Sequence, residues 1–259
     1  MIKIFKYGEV DNGSIFDRTT KAASTEKTVS EIIADVRKRG DTALYEYSEK
    51  FDNAKLTSLE VSDEEFDEAQ RSVDAEFLKI LRDAAENIKR FHGEQVRNGF
   101  TIKGERGEIL GQRIIPIEKV GLYVPGGTAA YPSTVLMDAI PAKLAGCSEI
   151  VMVTPPNKEG KVSAPILAAA KIAGITKVFK IGGAQAIAAL AYGTDSVPRV
   201  YKIVGPGNAY VAEAKKQVFG QVSIDMIAGP SEILIVADGG TDPVCCAADL
   251  LSQAEHDRM

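Results

Sequence analysis

Residues 119–127 read KVGLYVPGG, and this stretch decides the fold class because a short apolar run, 120–124, leads directly into a glycine turn. Four more short apolar runs follow, at 150–153, 178–181, 200–204 and 233–236. Helical patterns of apolar residues lie between them, at a spacing of roughly 25 residues per unit. Strands that alternate with helices in this way form right-handed βαβ units. The sequence therefore predicts an α/β fold with a parallel sheet.

Upstream of this stretch the sequence is mainly helical. Apolar residues spaced for one helix face run through 29–36, and Gly40 suits the end of that helix. Asp41 is placed to cap the next helix. The sequence SDEE at 62–65 has the spacing of a capping box before a third helix.

Two further boundaries can be predicted from turn and cap residues. The sequence GERG at 104–107 predicts a turn between two strands, the second of which runs through 114–115. Downstream, Ser133 or Thr134 is placed to cap a helix that ends at Gly146.

Charged residues are denser before Lys119, and glycine and proline are denser after it, which suggests a domain boundary near that residue.

The composition excludes several classes of protein. The chain has 259 residues, 45% of them hydrophobic, and a net charge of −5, so it is a poor candidate for nucleic-acid binding, which requires a basic patch. No apolar run is long enough to cross a membrane, and the first ten residues do not resemble a secretory signal. The three cysteines, Cys147, Cys245 and Cys246, form no Cys-x-x-Cys pair. We expect a cytoplasmic protein that binds neither nucleic acid nor membranes.

Glycine turns follow the predicted strands. They lie at 125–127, 182–183, 205–207 and 229–230. Ligands of open α/β sheets bind at the carboxyl ends of the strands, where glycine lets the backbone approach a ligand closely. These turns are therefore candidates for a ligand-binding rim.

One of these turns resembles half of a dinucleotide fingerprint. The sequence GPGNAY at 205–210 follows a predicted strand and opens a helix, but Tyr210 stands where the third glycine belongs. Asp225 follows near the position of a ribose-binding acid. On its own this pattern is weak support for nucleotide binding, because βα turns also use glycine for geometry alone.

Two potential metal ligands lie near the end of the chain. Gln253 and His256 are three residues apart in a helical pattern, so both project from one face. An imidazole beside an amide oxygen is the beginning of a zinc site, although two ligands do not complete it. The alternative is a histidine that simply interacts favourably with the end of a helix.

Five long motifs together resemble the histidinol dehydrogenase family. They are VGLYVPGGTAAYPSTVLMDAIPAKLAGC at 120–147, IGGAQAIAALAYGT at 181–194, KIVGPGNAYVAEAKKQV at 202–218, IDMIAGPSEILIVAD at 224–238 and AADLLSQAEHD at 247–257. The resemblance covers the chain from about residue 19 to its end.

The resemblance implies a fold, an activity and an assembly. The family oxidises L-histidinol to L-histidine through L-histidinal in the last steps of histidine biosynthesis, using two NAD and one zinc per site. Its members are homodimers whose site is shared between the subunits. The implied fold has two incomplete Rossmann-like parallel-sheet domains, one inserted in the other. Here these would be an arm at 1–19, an outer domain at 20–119 plus 232–259, truncated in this chain, and the inserted NAD-binding domain at 120–231.

The resemblance also implies roles for six residues. Tyr123, Gln185 and Asn208 match positions that contact NAD. Ser231 matches a substrate contact, while Gln253 and His256 match two zinc ligands that also lie against the substrate. The family's remaining zinc ligands and its catalytic Glu-His pair lie beyond the position of Met259. We therefore expect no catalytic residue in this chain, which would be the inactive front portion of the enzyme.

Two other functions remain open at this point. The chain could bind NAD without turnover, since the residues that are missing are the catalytic ones. It could also be an oxidoreductase of the aldehyde-dehydrogenase type, with Cys147 as the nucleophile. A free cysteine is more often a small buried apolar residue, which is the interpretation we favour for Cys147.

Overall fold

The computed structural model describes residues 4–6, 8–11, 13, 22–126, 130–227 and 233–254. From residue 22 onward, the described part of the chain begins with four helices: α1 (Ala22–Arg39), α2 (Asp41–Asp52), α3 (Asp63–Ser72) and α4 (Ala75–Gly93). An antiparallel hairpin follows, made of β1 (Phe100–Lys103) and β2 (Ile109–Gln112). The alternating part comprises β3 (Lys119–Tyr123), α5 (Pro132–Leu144), β4 (Glu149–Thr154), α6 (Ala164–Ile172), β5 (Lys177–Lys180), α7 (Gly183–Tyr192), β6 (Lys202–Val204), α8 (Ala209–Val218) and β7 (Ser223–Ile224). A last helix, α9, spans Pro243–Ala254.

The predicted parallel sheet is confirmed. Its five strands lie in the order β5-β4-β3-β6-β7, and every neighbouring pair is parallel. The strand β3 lies between β4 and β6, so the direction in which strands are added reverses beside it. In open α/β sheets, a reversal of this kind opens a crevice at the carboxyl ends of the two strands concerned.

The sheet separates two apolar cores. Side chains of β3 alternate between them, because successive residues of a strand point to opposite faces: Tyr123 belongs to one core, and Leu122 belongs to the other. The first core is completed by α1, α2, α7 and α8, and the second by α3, α4, α5 and α6. The helices α1 to α4, which precede the sheet in the sequence, therefore help to cover both of its faces.

The link between α2 and α3 also protects one edge of the sheet. The backbone N–H of Val61 donates to the carbonyl oxygen of Val178 at 2.9 Å, and that of Lys180 donates to the carbonyl oxygen of Leu59 at 2.7 Å. Because β5 is the edge strand, these bonds occupy backbone groups that would otherwise be open to another chain. The chain thus passes from one face of the sheet to the other across this edge.

Two predicted helix boundaries are confirmed by their cap geometry. The N–H of Glu65 donates to Ser62 Oγ at 3.3 Å, and the N–H of Ser62 donates to Glu65 Oε2 at 2.9 Å, which completes the capping box. The first helix ends at Arg39, and Gly40 has a φ of 54°, a conformation that favours glycine.

Two predicted caps are wrong. Asp41 is the first residue of α2, not its cap, and its carboxylate instead accepts a 2.5 Å hydrogen bond from the hydroxyl of Ser196. Helix α5 begins at Pro132 after Tyr131, so Ser133 and Thr134 lie inside its first turn. Proline suits that first position because its missing N–H has no helical partner there.

Two predicted strands are also corrected. The run 233–236 is not a strand, and Leu234 and Val236 are 84% and 90% exposed. A strand requires a hydrogen-bonded neighbour, and the part of the chain that the structure describes provides none beside this run. In the hairpin, Lys103 pairs with Ile109, so β2 begins directly after the turn and ends before 114–115.

The sheet gains its fifth strand from β7, which has only two residues and carries no periodic pattern that could have predicted it. Among the helices in the described ranges, none is long and apolar enough to cross a membrane.

Gly121 tests the packing between the sheet and α7. A Cβ atom at this position would lie 2.8 Å from Leu190 Cδ1 and 3.1 Å from Val200 Cγ2. Both neighbours are fully buried, so Gly121→Ala should lower the free energy of unfolding by about 1–3 kcal/mol through overpacking. Urea denaturation measures this change.

Gly93→Ala is the matched control. Gly93 ends α4, and a Cβ atom there would meet no other atom within 4 Å. This substitution should be neutral or stabilise the protein by up to about 1 kcal/mol. Equal effects of the two substitutions would contradict the close contact at Gly121.

Candidate functional site

The carboxyl ends of the strands form a rim whose centre lies between β3 and β6. Gly205 follows β6 directly, and its φ of +115° lies in the region that favours glycine. A side chain at this position would collide with the carbonyl oxygen of Tyr123, the last residue of β3. The two strand ends therefore approach so closely that only glycine fits between them.

Both backbone polar groups of Gly205 are bound by a pair of charged side chains. The N–H donates to Asp225 Oδ2 at 2.9 Å, and the carbonyl oxygen accepts from Lys215 Nζ at 2.9 Å. Lys215 also forms an ion pair with Asp225 Oδ1, which in addition accepts a 2.6 Å hydrogen bond from the N–H of Met226. Both oxygens of Asp225 are therefore bound by protein groups. The predicted ribose-binding acid instead holds the glycine turn.

Asn208 stands at the entrance to α8. Its Oδ1 accepts from the N–H groups of Tyr210 at 3.0 Å and Val211 at 3.1 Å, which confirms that the helix begins here. Because the oxygen is occupied, the amide NH₂ group of this exposed side chain is the donor that can bind a ligand. Gly207 lies so close to Val211 that a side chain there would collide with it.

Tyr123 is buried, with 4% of its surface exposed, and its hydroxyl accepts a 3.1 Å hydrogen bond from the N–H of Gly183. This N–H belongs to the first residue of α7, whose preceding residue provides no side-chain cap. Burial raises the pKa of Tyr123 to about 12, and the negative charge of Asp52 contributes. The phenol therefore stays neutral and fixes the start of α7.

Gln185 lies in the first turn of α7 and is 1% exposed. Its side chain folds back toward the turn, so that a Cβ atom at Gly183 would lie 2.7 Å from Gln185 Oε1. It makes no side-chain hydrogen bond to any residue that the structure describes.

The other predicted site residues cannot be located in the same way. Ser231, His256 and the side chain of Gln253 lie outside the described residues. The backbone of Gln253 belongs to α9. Within the described ranges, no three histidine, cysteine, aspartate or glutamate side chains are grouped so that they could hold a metal ion.

Two half-buried acids near the rim, each with one buried carboxylate oxygen, were missed by the sequence analysis. Burial raises the pKa of Asp138 to about 7, the nearby charge of Asp225 adds to this, and Lys215 opposes it. Asp138 Oδ2 has no hydrogen-bond partner in the described structure and would lie 3.1 Å from a Cβ atom at Gly205. Burial likewise raises the pKa of Asp52 to about 6. The signal for Asp138 was available, because it is the only acidic residue of a largely apolar helix.

Cys147 lies at the opposite end of the sheet. It follows α5 and precedes β4, and its N–H donates to the carbonyl oxygen of Ala142 at 3.1 Å. The length of β4, on the order of 20 Å, separates it from the rim. Burial raises the pKa of the thiol, which disfavours the thiolate. This placement argues against Cys147 as a nucleophile for a substrate bound at the rim.

Comparison with known proteins gives consistent matches over the chain. The sequence model described as histidinol dehydrogenase matches residues 16–259. The histidinol dehydrogenase of Geobacillus kaustophilus is 55% identical over 97% of this chain and 60% of its own length. That of Clostridium acetobutylicum is 50% identical over 100% of this chain and 61% of its own length.

The structural comparison agrees with these matches. The crystal structure of histidinol dehydrogenase from Elizabethkingia anophelis superposes with a TM-score of 0.86 and 43% identity, over 92% of this chain and 55% of that one. The chain thus spans about three fifths of the length of the curated relatives it matches.

Asp138→Asn tests the half-buried acid beside Gly205. The ordinary pKa of 3.8 is raised to about 7 in the folded state, so between these values the unfolded chain releases a proton that the folded protein keeps. The free energy of unfolding therefore falls as pH rises through this range. The neutral asparagine avoids this loss, and its advantage over the wild type should grow by about 1–4 kcal/mol from pH 4 to 7. Urea denaturation across this range measures the difference.

Asp67→Asn is a control of opposite sign. Asp67 pairs with Lys171 at 2.7 Å, and this contact lowers the pKa of the carboxyl group. The carboxylate is therefore favourable in the folded state, and its removal should destabilise the protein increasingly as pH rises. A pH-independent effect of Asp138→Asn would refute the raised pKa of this carboxyl group.

Proposed function

The chain belongs to the histidinol dehydrogenase family, and from this premise we propose that the protein it forms oxidises L-histidinol to L-histidine through L-histidinal, with NAD as the oxidant. Each of the two oxidations removes a hydride from carbon and a proton from a hydroxyl group. The aldehyde takes up water between the two steps, so that a hydroxyl group is again present. The reaction would complete the biosynthesis of histidine, and we place it in the cytoplasm.

The observation that carries this proposal is the glycine turn between β3 and β6. It lies at the reversal of strand order, where open α/β sheets bind dinucleotides, and it leads into the amino end of α8. Gly205 and Gly207 let the turn pack so closely against Tyr123 and Val211 that a side chain at either position would collide with them. NAD bound here supplies the acceptor for the hydride.

The residues around the turn would bind and orient the cofactor. We propose that the Asn208 amide donates to it directly and that the buried Gln185 amide supplies a second polar contact. Tyr123 would act mainly through Gly183, because its hydroxyl already accepts from that N–H. The inserted NAD-binding domain would comprise 120–231, and the outer domain 20–119 with 232–259.

Zinc binding is proposed on the donor chemistry of the final helix. Gln253 and His256 would supply an amide oxygen and an imidazole nitrogen, and Ser231 would contact the substrate. Protein zinc sites have three or four protein ligands, so these two do not suffice. We propose that further ligands and the general base lie outside this chain, in a homodimer whose site is shared between subunits. Residues 1–259 alone would then bind NAD without turnover.

The full-length protein tests this function directly. Incubated with L-histidinol, NAD and zinc, it should produce NADH, which is followed by its absorbance, and the rate should fall when a chelator is added. Cys147→Ser should retain most of this activity, because the thiol lies far from the rim. Turnover of simple alcohols without turnover of histidinol would refute the proposal, and a loss of activity in a folded Cys147→Ser protein would favour a cysteine nucleophile.

Asn208→Ser tests the cofactor contact without removing the helix cap. Serine keeps an oxygen that can accept from the first N–H groups of α8, but it lacks the amide donor. Loss of one neutral hydrogen bond costs about 0.5–1.5 kcal/mol, so the KM for NAD should rise about two- to tenfold. Gln185→Ala should act in the same direction. An increase confined to the KM for histidinol would contradict this arrangement of the site.

A further inference from the structure

Lys215 is a buried cation that the proposed function does not use. It lies in α8 with 1% of its surface exposed, and its nitrogen is held at the carboxyl end of the sheet. Burying an ammonium group is costly unless its charge is paired and its protons are bound. The surrounding contacts therefore show what the lysine stabilises.

Those contacts converge on one residue. Lys215 Nζ donates to the carbonyl oxygen of Gly205, and Asp225 Oδ2 accepts from the N–H of the same residue, each at 2.9 Å. The two side chains are joined to each other by an ion pair. Hydrogen bonds to charged groups are about twice as strong as neutral ones. The pair thus binds both polar groups of a glycine whose backbone conformation few other residues adopt.

The pair also connects three elements around the rim. Gly205 begins the turn after β6, Lys215 comes from the second half of α8, and Asp225 directly follows β7. The turn leads into Asn208, whose side chain caps α8. Fixing Gly205 against α8 therefore fixes the position of the Asn208 amide and of the first N–H groups of that helix.

We infer that Lys215 and Asp225 are a positioning pair for the dinucleotide, holding the Gly205–Asn208 turn in the shape that binds it. This inference rests on the proposed binding of NAD at the same rim. Lys215 is enclosed beneath the turn, so it acts through the backbone rather than by touching the cofactor. Asp138, whose unpartnered oxygen lies beside Gly205, forms the third side of this enclosure.

The test compares Lys215→Met and Asp225→Asn with Lys216→Met in the full-length protein. The control residue is the next lysine of the same helix, is exposed and pairs with Glu213. We expect the Kd for NAD, measured by titration calorimetry, to rise at least about fivefold in both pair variants. The control should stay within about twofold, since exposed ion pairs contribute little.

Two further readouts separate positioning from a purely structural role. Amide hydrogen exchange at Gly205 should be faster in both pair variants, and NAD should protect it less than in the wild type. In turnover assays the KM for NAD should rise while the KM for histidinol stays unchanged. A lower melting temperature with an unchanged Kd of the folded protein would overturn the inference.

If Lys215→Met does not fold, Asp225→Asn alone tests whether the pair positions the turn. Asparagine has the same shape and keeps an acceptor for the N–H of Gly205, but it removes the charge that pairs with Lys215. Wild-type affinity in this variant would overturn the inference while leaving the proposed function intact. Failure of the wild-type protein itself to bind NAD would instead overturn the proposed function.

Discussion

Helix α7 lies between the sheet and α1, and the arrangement of the rim depends on this packing. Its residues 184–191 are all buried, and five of them are alanines, so the helix fits between two layers. Gly121 lets Leu190 approach β3 from one side. At its amino end, the same helix meets the Tyr123 hydroxyl and places Gln185 at the rim. A shift of α7 would therefore move Gln185 and break the hydrogen bond between Gly183 and Tyr123.

Much of the fold could be predicted from local sequence patterns. The apolar runs identified four of the five strands of the sheet, and the capping box at Ser62 predicted its helix correctly. The failures have a common cause, because whether 233–236 and β7 form strands depends on the strands beside them and not on how apolar they are. An apolar run forms a strand only beside another strand, and the two residues of β7 pair because β6 lies next to them. Neither fact can be read from periodicity.

The candidate site, like the fold, could be predicted from the sequence only in part. Glycine turns after strands located the rim, and the pattern at 205–210 indicated the correct helix start. The role of Asp225 could not be predicted, because it depends on a lysine ten residues beyond Gly205 that lies buried within a helix. Sequence spacing suggested an acid for ribose, whereas the fold uses that acid to bind a backbone. The resemblance assigns Tyr123 to the cofactor, and the structure adds that its hydroxyl accepts a hydrogen bond from the first residue of α7.

The covering of the sheet by the first helices has a consequence for biosynthesis. Helix α1 contacts α7, whose first residue lies about 150 positions further along the chain, so at typical rates of translation α1 waits roughly 8 to 30 s for its partner. During that interval α7 is not yet available for the apolar inner face of α1 to pack against. The residues of this face are Val29, Ile32, Ile33 and Val36. The nascent chain therefore exposes an apolar helix face for several seconds, which is a period in which an unfinished chain is open to aggregation.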